Sequence, residues 1–358
     1  MIHLLTMILK NMKLEVEWEL PVLPKQTSKK VNGSGTVLTP FPNKVIRLYE
    51  NNKTDKNIMD TVKGCKGGCF GCYAESSMGV TFNAVKFDSP QSQILEPVKL
   101  QTDVLSHLER CSRRDTTDIP KEWVRNGVMG DPSYDWDLTV KAAETVSMAG
   151  SRMVIITKFW HIPSPSQLGR LALSGAILHW SVIAGYDWTR EFDPNSRVPS
   201  IIDIIRRYKK MTPQESIFMR LCTFPWKKNQ PIEEGMGDIL WHGQEAFYNL
   251  TKKEGIRIIE TPWQMRRSDP RMEHIDKEIL IHPKSYKAKK YGLKDENGET
   301  KLKTGWVYGG PKYFDDKHAL TESDAHVIGC VTDCGPCPNQ CGSTSSASKQ
   351  RTFHALMM

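Results

Sequence analysis

The sequence predicts an α/β protein: a partial (βα)6 barrel on a parallel sheet, carrying N- and C-terminal extensions. Two observations predict it. Between residues 57 and 262, short apolar runs of strand length alternate with amphipathic helical patterns. Successive runs are separated by a helix long enough to cross over, which parallel strands require and hairpins do not. Six such units fall short of a closed eightfold barrel, and a barrel of this kind places its chemistry at the C-terminal ends of the strands.

The elements come in order. Residues 57–62 read as a first strand, ending at a cysteine cluster, and 97–111 as a helix with Leu100, Val104 and Leu108 on one face. Residues 123–129 form a second strand and 136–149 a helix closed by Gly150. After a third strand, 153–157, Ser164 and Pro165 supply an N-cap and a proline at the first helical position. A fourth strand covers 177–184. Ser200 and Asp203 resemble a capping box ahead of a helix over 201–210. Strands at 216–222 and 256–260 flank a last helix at 239–253.

The remaining chain divides into an extension at 1–56, a C-terminal extension at 263–342 and a Ser-rich tail at 343–358. Residues 15–19 alternate Glu with Val and Trp and read as one short strand. Hydrophobic residues make up 39% of the chain and charged residues 25%, the proportions of a folded globular protein and not of a disordered one. No apolar run reaches the length of a membrane span, and the apolar start stops at Lys10 without a small-residue cleavage site. A cytoplasmic location without membrane attachment is the expectation. Lys and Arg total 49 against 41 Asp and Glu, and the resulting +8 is too small to mark a dedicated nucleic-acid binder.

Seven of the nine cysteines fall in two tight clusters, which reads as metal or iron–sulfur ligation and not as a disulfide framework spread through a small secreted chain. The first cluster is Cys65-Lys-Gly-Gly-Cys69-Phe-Gly-Cys72, with spacing C-x3-C-x2-C. Three thiolates hold three irons of a [4Fe–4S] cluster and leave the fourth iron open to an outside ligand. Zinc is the alternative, although a structural zinc site wants four ligands and no fourth Cys or His lies nearby.

This motif, placed after the first strand of a βα series, resembles the radical S-adenosylmethionine (radical SAM) superfamily. The resemblance extends over about residues 58–262 and implies a TIM-like partial barrel. It implies a site-differentiated [4Fe–4S] cluster on Cys65, Cys69 and Cys72, with S-adenosylmethionine chelating the open iron. Reductive cleavage of that cofactor would yield a 5′-deoxyadenosyl radical that abstracts hydrogen from a substrate. The family often carries an aromatic residue directly before the third cysteine. Here that position is Gly71, and Phe70 and Tyr73 on either side are the aromatic candidates for the adenine. After the second strand, Gly130-Asp131-Pro132 matches the family segment that binds the cofactor's amino group, with Asp in place of Glu. A carboxylate suits an ammonium, and the alternative is a simple turn in which Asp131 caps the next helix. Ser181 and Arg220 are the candidates for ribose or carboxylate contacts. Thr157, Lys158 and Glu260 stand at further strand ends, while His161 and His179 read as ordinary histidines, and Cys111 and Cys222 as buried structural cysteines.

The second cluster, Cys330, Cys334, Cys337 and Cys341, has the spacing C-x3-C-x2-C-x3-C. Four thiols within twelve residues fit one auxiliary [4Fe–4S] cluster, and zinc is the alternative. Between the clusters, Lys284, Tyr286, Lys287, Lys289, Lys290 and Tyr291 interleave charge with aromatic rings, after Arg266, Arg267 and Arg271. Such a stretch fits a nucleic-acid backbone or a solvated loop. The reading is an enzyme using an electron donor such as flavodoxin or ferredoxin, with nucleic acid or peptide as candidate substrate. Its rival is a non-catalytic zinc or iron–sulfur protein that interacts with nucleic acid.

Overall fold

Strand β1 (Ile58–Met59) opens a seven-stranded sheet in which every described pairing is parallel. It is followed in space by β4 (Trp123–Asn126), β5 (Arg152–Thr157), β6 (Ile177–Ile183), β7 (Ile217–Thr223), β8 (Arg257–Pro262) and β12 (Val327–Ile328). The structure is a computed structural model. It describes residues 45–49, 57–66, 90–112, 123–183, 194–212, 216–223, 226–227, 236–262, 264–266, 275, 280–281, 306–309 and 326–328.

The spatial order of the strands is their order in the sequence, so each crossover steps one place in the same direction. Right-handed crossovers then put the intervening helices on one face. Those helices are α1 (Pro97–Ser112), α2 (Trp136–Met148), α3 (Pro165–Leu173), α4 (Pro194–Met211) and α5 (Met236–Glu254). The main core lies between them and the sheet: Met153 and Ile155 of β5, Leu178, Trp180 and Val182 of β6, and Met219 and Leu221 of β7 pack with Val140, Leu168, Ile201 and Phe247. Alternate residues turn the other way. Trp123, Val154, Ile177, Phe218, Ile259 and Ile328 form a second, smaller apolar layer on the face without helices.

The α/β class, the parallel sheet and the helix crossovers stand as the sequence predicts. A barrel is not shown: among the described residues β1 and β12 are the two edges and do not pair, so the sheet is open, as six units short of a closed barrel imply. The core also reaches beyond residues 57–262. Ile46 and Leu48 are buried in it, Val45 bridges Ile94, and β12 adds a seventh parallel strand beside β8. A three-stranded antiparallel sheet, ordered β10 (Leu280–Ile281), β11 (Trp306–Gly309), β9 (Gln264–Arg266), accounts for the other described strands of the C-terminal extension.

Element ends obey local chemistry. Asp135 caps α2 by accepting from Leu138 N, and Ser164 with Gln167 forms a capping box ahead of Pro165. The capping box read at Ser200 and Asp203 is not realised. Helix α4 starts at Pro194 and runs through Pro199, and Asp203 pairs with Arg207 one turn on at 2.8 Å. The first predicted strand splits into β1 and β2 (Val62–Lys63), which pairs antiparallel with β3 (Gln91–Ser92). The second ends at Asn126, where Gly127 turns the chain with φ of +92°.

Candidate functional site

Two segments that the sequence places some 65 residues apart meet at the C-terminal edge of the sheet. Gly64 donates its N–H to the Met129 carbonyl at 3.1 Å, and Asp131 donates to the Gly64 carbonyl at 3.4 Å. Gly64 and Gly130 thereby form a one-residue parallel bridge that seats Cys65 directly beside Gly130-Asp131-Pro132. The approach is too close for a side chain, since a Cβ on Gly130 would lie 2.1 Å from the Val62 carbonyl oxygen.

Asp60 holds the same loop from beneath. Its Oδ1 accepts from the N–H groups of Gly127, Val128 and Met129 at 3.2, 2.8 and 3.1 Å, and its Oδ2 accepts from the Tyr49 hydroxyl at 2.5 Å. The residue is 3% exposed. Burial pushes its pKa up to about 6, against the pull of these four donors. Lys63, also buried, moves the other way: burial lowers its pKa to about 8, with the Asp60 charge opposing.

Asp131 does for β5 what Asp60 does for β4. Its Oδ1 accepts from Ser133 N at 2.9 Å, Ser133 Oγ at 2.7 Å and Thr157 Oγ1 at 2.7 Å, while Oδ2 accepts from Lys158 N at 2.8 Å. It caps the 3₁₀ turn Pro132–Tyr134, which starts at a buried Pro132. Thr157 Oγ1 also accepts from Phe159 N at 2.9 Å. That bond supports a left-handed Phe159, φ of 52°, whose ring is fully buried against Trp136.

The same 3₁₀ turn delivers Tyr134 to the cysteine. The Tyr134 hydroxyl accepts from Lys66 N at 3.1 Å and is the hydrogen-bonding neighbour of the Cys65 thiol. Burial first, then the sulfur, raises its pKa above the ordinary phenol value. The ring stands edge-on to His161, with centroids 5.3 Å apart. Cys65 itself is half-buried and not in a disulfide.

Ser181 of β6 and Arg220 of β7 are register partners, and so share the sheet face that lacks helices. Deeper residues of that face, Ile177, His179 and Phe218, are fully buried or nearly so. Toward the strand ends it opens: Ser181, Ile183, Arg220 and Cys222 are all partly exposed, and Val182 and Leu221 between them are buried. Lys158 reaches across to the Ser181 carbonyl, with Nζ at 3.3 Å. Cys222 is thus half-buried and not fully buried as the sequence predicts. Glu260 lies inside β8 and not at its end, and is 5% exposed with Thr223 Oγ1 donating to it at 2.7 Å.

The structure therefore brings Cys65 to Gly130, Asp131 and Pro132, and sets Ser181 beside Arg220 and Lys158. Phe70, Cys69, Cys72 and Tyr73, the second cluster Cys330, Cys334, Cys337 and Cys341, and the basic stretch around Lys287 lie outside the described residues. Among the described residues no group of three or more Cys, His, Asp or Glu is arranged to hold a metal ion. What is described suits one thiolate ligand: a half-buried sulfur, at a strand end, on a backbone pinned on both sides. Two residues of this site, Asp60 and Tyr134, are absent from the sequence reading. Asp60 had a signal, as a carboxylate inside an apolar strand run. Tyr134 had none, because its partners are nearly 70 residues away.

No family model matches the chain, and no curated protein matches it. Among solved structures it is similar to a radical SAM methyltransferase from Sphaerobacter thermophilus. The match has 14% identity and a TM-score of 0.37, covering 60% of this chain and 58% of that one. The chain thus spans a little over half the length of that protein. No helix among the described residues is long and apolar enough to cross a membrane.

Proposed function

We propose that the chain is a radical SAM enzyme whose open sheet is the partial barrel of that superfamily. Cys65, Cys69 and Cys72 would hold a [4Fe–4S] cluster. The observation that carries the reading is the strap that seats Cys65 against Gly130-Asp131-Pro132, because a cluster ligand and a cofactor-binding segment must share one strand-end edge. Held by those three cysteines, such a cluster would supply the one-electron reduction of S-adenosylmethionine that starts hydrogen abstraction from a substrate.

The chain's own residues divide the remaining work. The Gly130–Pro132 segment meets the cofactor's amino group, with Asp131 fixing the loop's shape through its four donors. Phe70 and Tyr73 would supply the aromatic contact to the adenine. Ser181 and Arg220 line the accessible half of the helix-free face, where a guanidinium and a hydroxyl suit a carboxylate or ribose. Lys158, tied to the Ser181 carbonyl, adds positive charge beside them. Cys330, Cys334, Cys337 and Cys341 would hold a second [4Fe–4S] cluster. A cytoplasmic flavodoxin or ferredoxin would supply electrons, and the basic, tyrosine-bearing stretch at 284–291 would receive a nucleic acid or peptide substrate.

The test is metal and sulfide content after anaerobic reconstitution. The reading expects iron and acid-labile sulfide for two [4Fe–4S] clusters. Replacing Cys65, Cys69 and Cys72 with Ala should remove one of them. It also expects the wild type's electron paramagnetic resonance signal to change on adding S-adenosylmethionine. Zinc without sulfide would replace this reading with that of a structural metal-binding protein.

A further inference from the structure

We infer that Tyr134 is a positioning residue for Cys65, holding its sulfur and the following amide in one geometry and thereby tuning the cluster that Cys65 would ligate. The inference rests on the iron–sulfur reading above. A thiolate ligand on a strand end needs its backbone fixed, and here both sides of Cys65 are. On the N-terminal side, Gly64 is bridged to Gly130. On the C-terminal side, Lys66 N donates to the Tyr134 hydroxyl at 3.1 Å.

A phenol has a single O–H to give, and the Lys66 N–H occupies a lone pair. The O–H is therefore available to the neighbouring sulfur. Tyr134 is placed for this by its own neighbours. Asp131 caps its 3₁₀ turn, Asp135 closes that turn with N–H to Pro132 O, and His161 sets the ring's edge. Neighbours of this kind orient a metal's ligands, and hydrogen bonds to the sulfurs are one of the levers on a cluster's reduction potential. A donor to Cys65 Sγ stabilises the reduced, more negative cluster, so it raises the potential.

The test compares reconstituted wild type with Tyr134→Phe, which keeps the ring against His161 and removes only the hydroxyl. Full cluster loading with a more negative midpoint potential is the expected result. An unchanged potential in a loaded variant would overturn the inference, since a purely structural tyrosine leaves the potential where it was. Hydrogen exchange on the metal-free full-length chain gives a second, cluster-independent readout. The Lys66 amide should exchange roughly fivefold faster in the variant, the effect of losing one hydrogen bond. Equal exchange in the two proteins would also count against the inference. A wild type that takes up no iron and sulfide overturns the iron–sulfur reading itself, and the exchange experiment still decides whether the phenol holds the turn.

Discussion

The two halves of the strand-end rim are built differently. On the β1–β4–β5 side, two buried carboxylates, Asp60 and Asp131, accept eight hydrogen bonds between them and so pin the loops that carry Cys65, Gly130 and Lys158. On the β6–β7 side, Ser181, Arg220 and Cys222 sit on regular strand, partly exposed, on the sheet face without helices. One half is fixed before anything binds, and the other offers accessible polar side chains on a rigid sheet. In the proposed site, the pinned half would hold the cluster-bearing loops in a set geometry and the other half would offer Ser181 and Arg220 to the cofactor's carboxylate or ribose.

The comparison breaks most visibly at Gly130. In Gly130→Ala the new Cβ meets the Val62 carbonyl oxygen, so the strap must part. We expect a loss of about 3–5 kcal/mol in denaturant unfolding, with iron loading lost as well. Asp60→Ala comes next. It strands three N–H groups and a phenol, for an expected loss of about 2–4 kcal/mol.

Asp60→Asn separates charge from shape. Burial raises the wild-type pKa from 3.8 to about 6, so the folded chain holds this proton more tightly than the unfolded chain does. Its contribution to stability is therefore complete below about pH 4, falls as pH rises through about 6, and is flat above. The span is about 3 kcal/mol. Urea midpoints across pH 4–7 should show that decline in the wild type and lack it in Asp60→Asn, which remains folded at pH 7. A variant with the same pH profile as the wild type would assign the titration to another group.

Thr157→Val should cost about 1–2 kcal/mol, because Asp131 loses one donor and Phe159 N loses its acceptor. Arg220→Ala is expected to change stability least, by under about 1 kcal/mol, since its side chain is partly exposed. It should weaken S-adenosylmethionine binding at least tenfold by calorimetry. A large loss of stability there, with binding intact, would reverse the division of the rim.

The strand–helix alternation was legible because apolar period and turn residues are local. Ser164 with Pro165 marked the start of α3, and the C-x3-C-x2-C run marked Cys65. Helix α4 was read short because Ser200 and Asp203 resemble a capping box, whereas the helix starts at Pro194, continues through Pro199, and Asp203 joins Arg207 instead of capping. The strap was not legible. Its parts, Asp60 with the 127–129 amides, Gly64 with Gly130 and Tyr134 with Lys66, lie 65 to 70 residues apart and meet only after β1 and β4 pair. Whether the open sheet curls into a barrel depends on strand coiling summed over the whole sheet, which no local pattern reports.

The central claim is the radical chemistry. Protein purified and reconstituted without oxygen should convert S-adenosylmethionine to 5′-deoxyadenosine when reduced with dithionite, and the Cys65→Ala, Cys69→Ala, Cys72→Ala variant should form none. Chromatographic detection of product from the wild type alone is the result the account requires. No product from a wild type that carries zinc, without iron or sulfide, would contradict it.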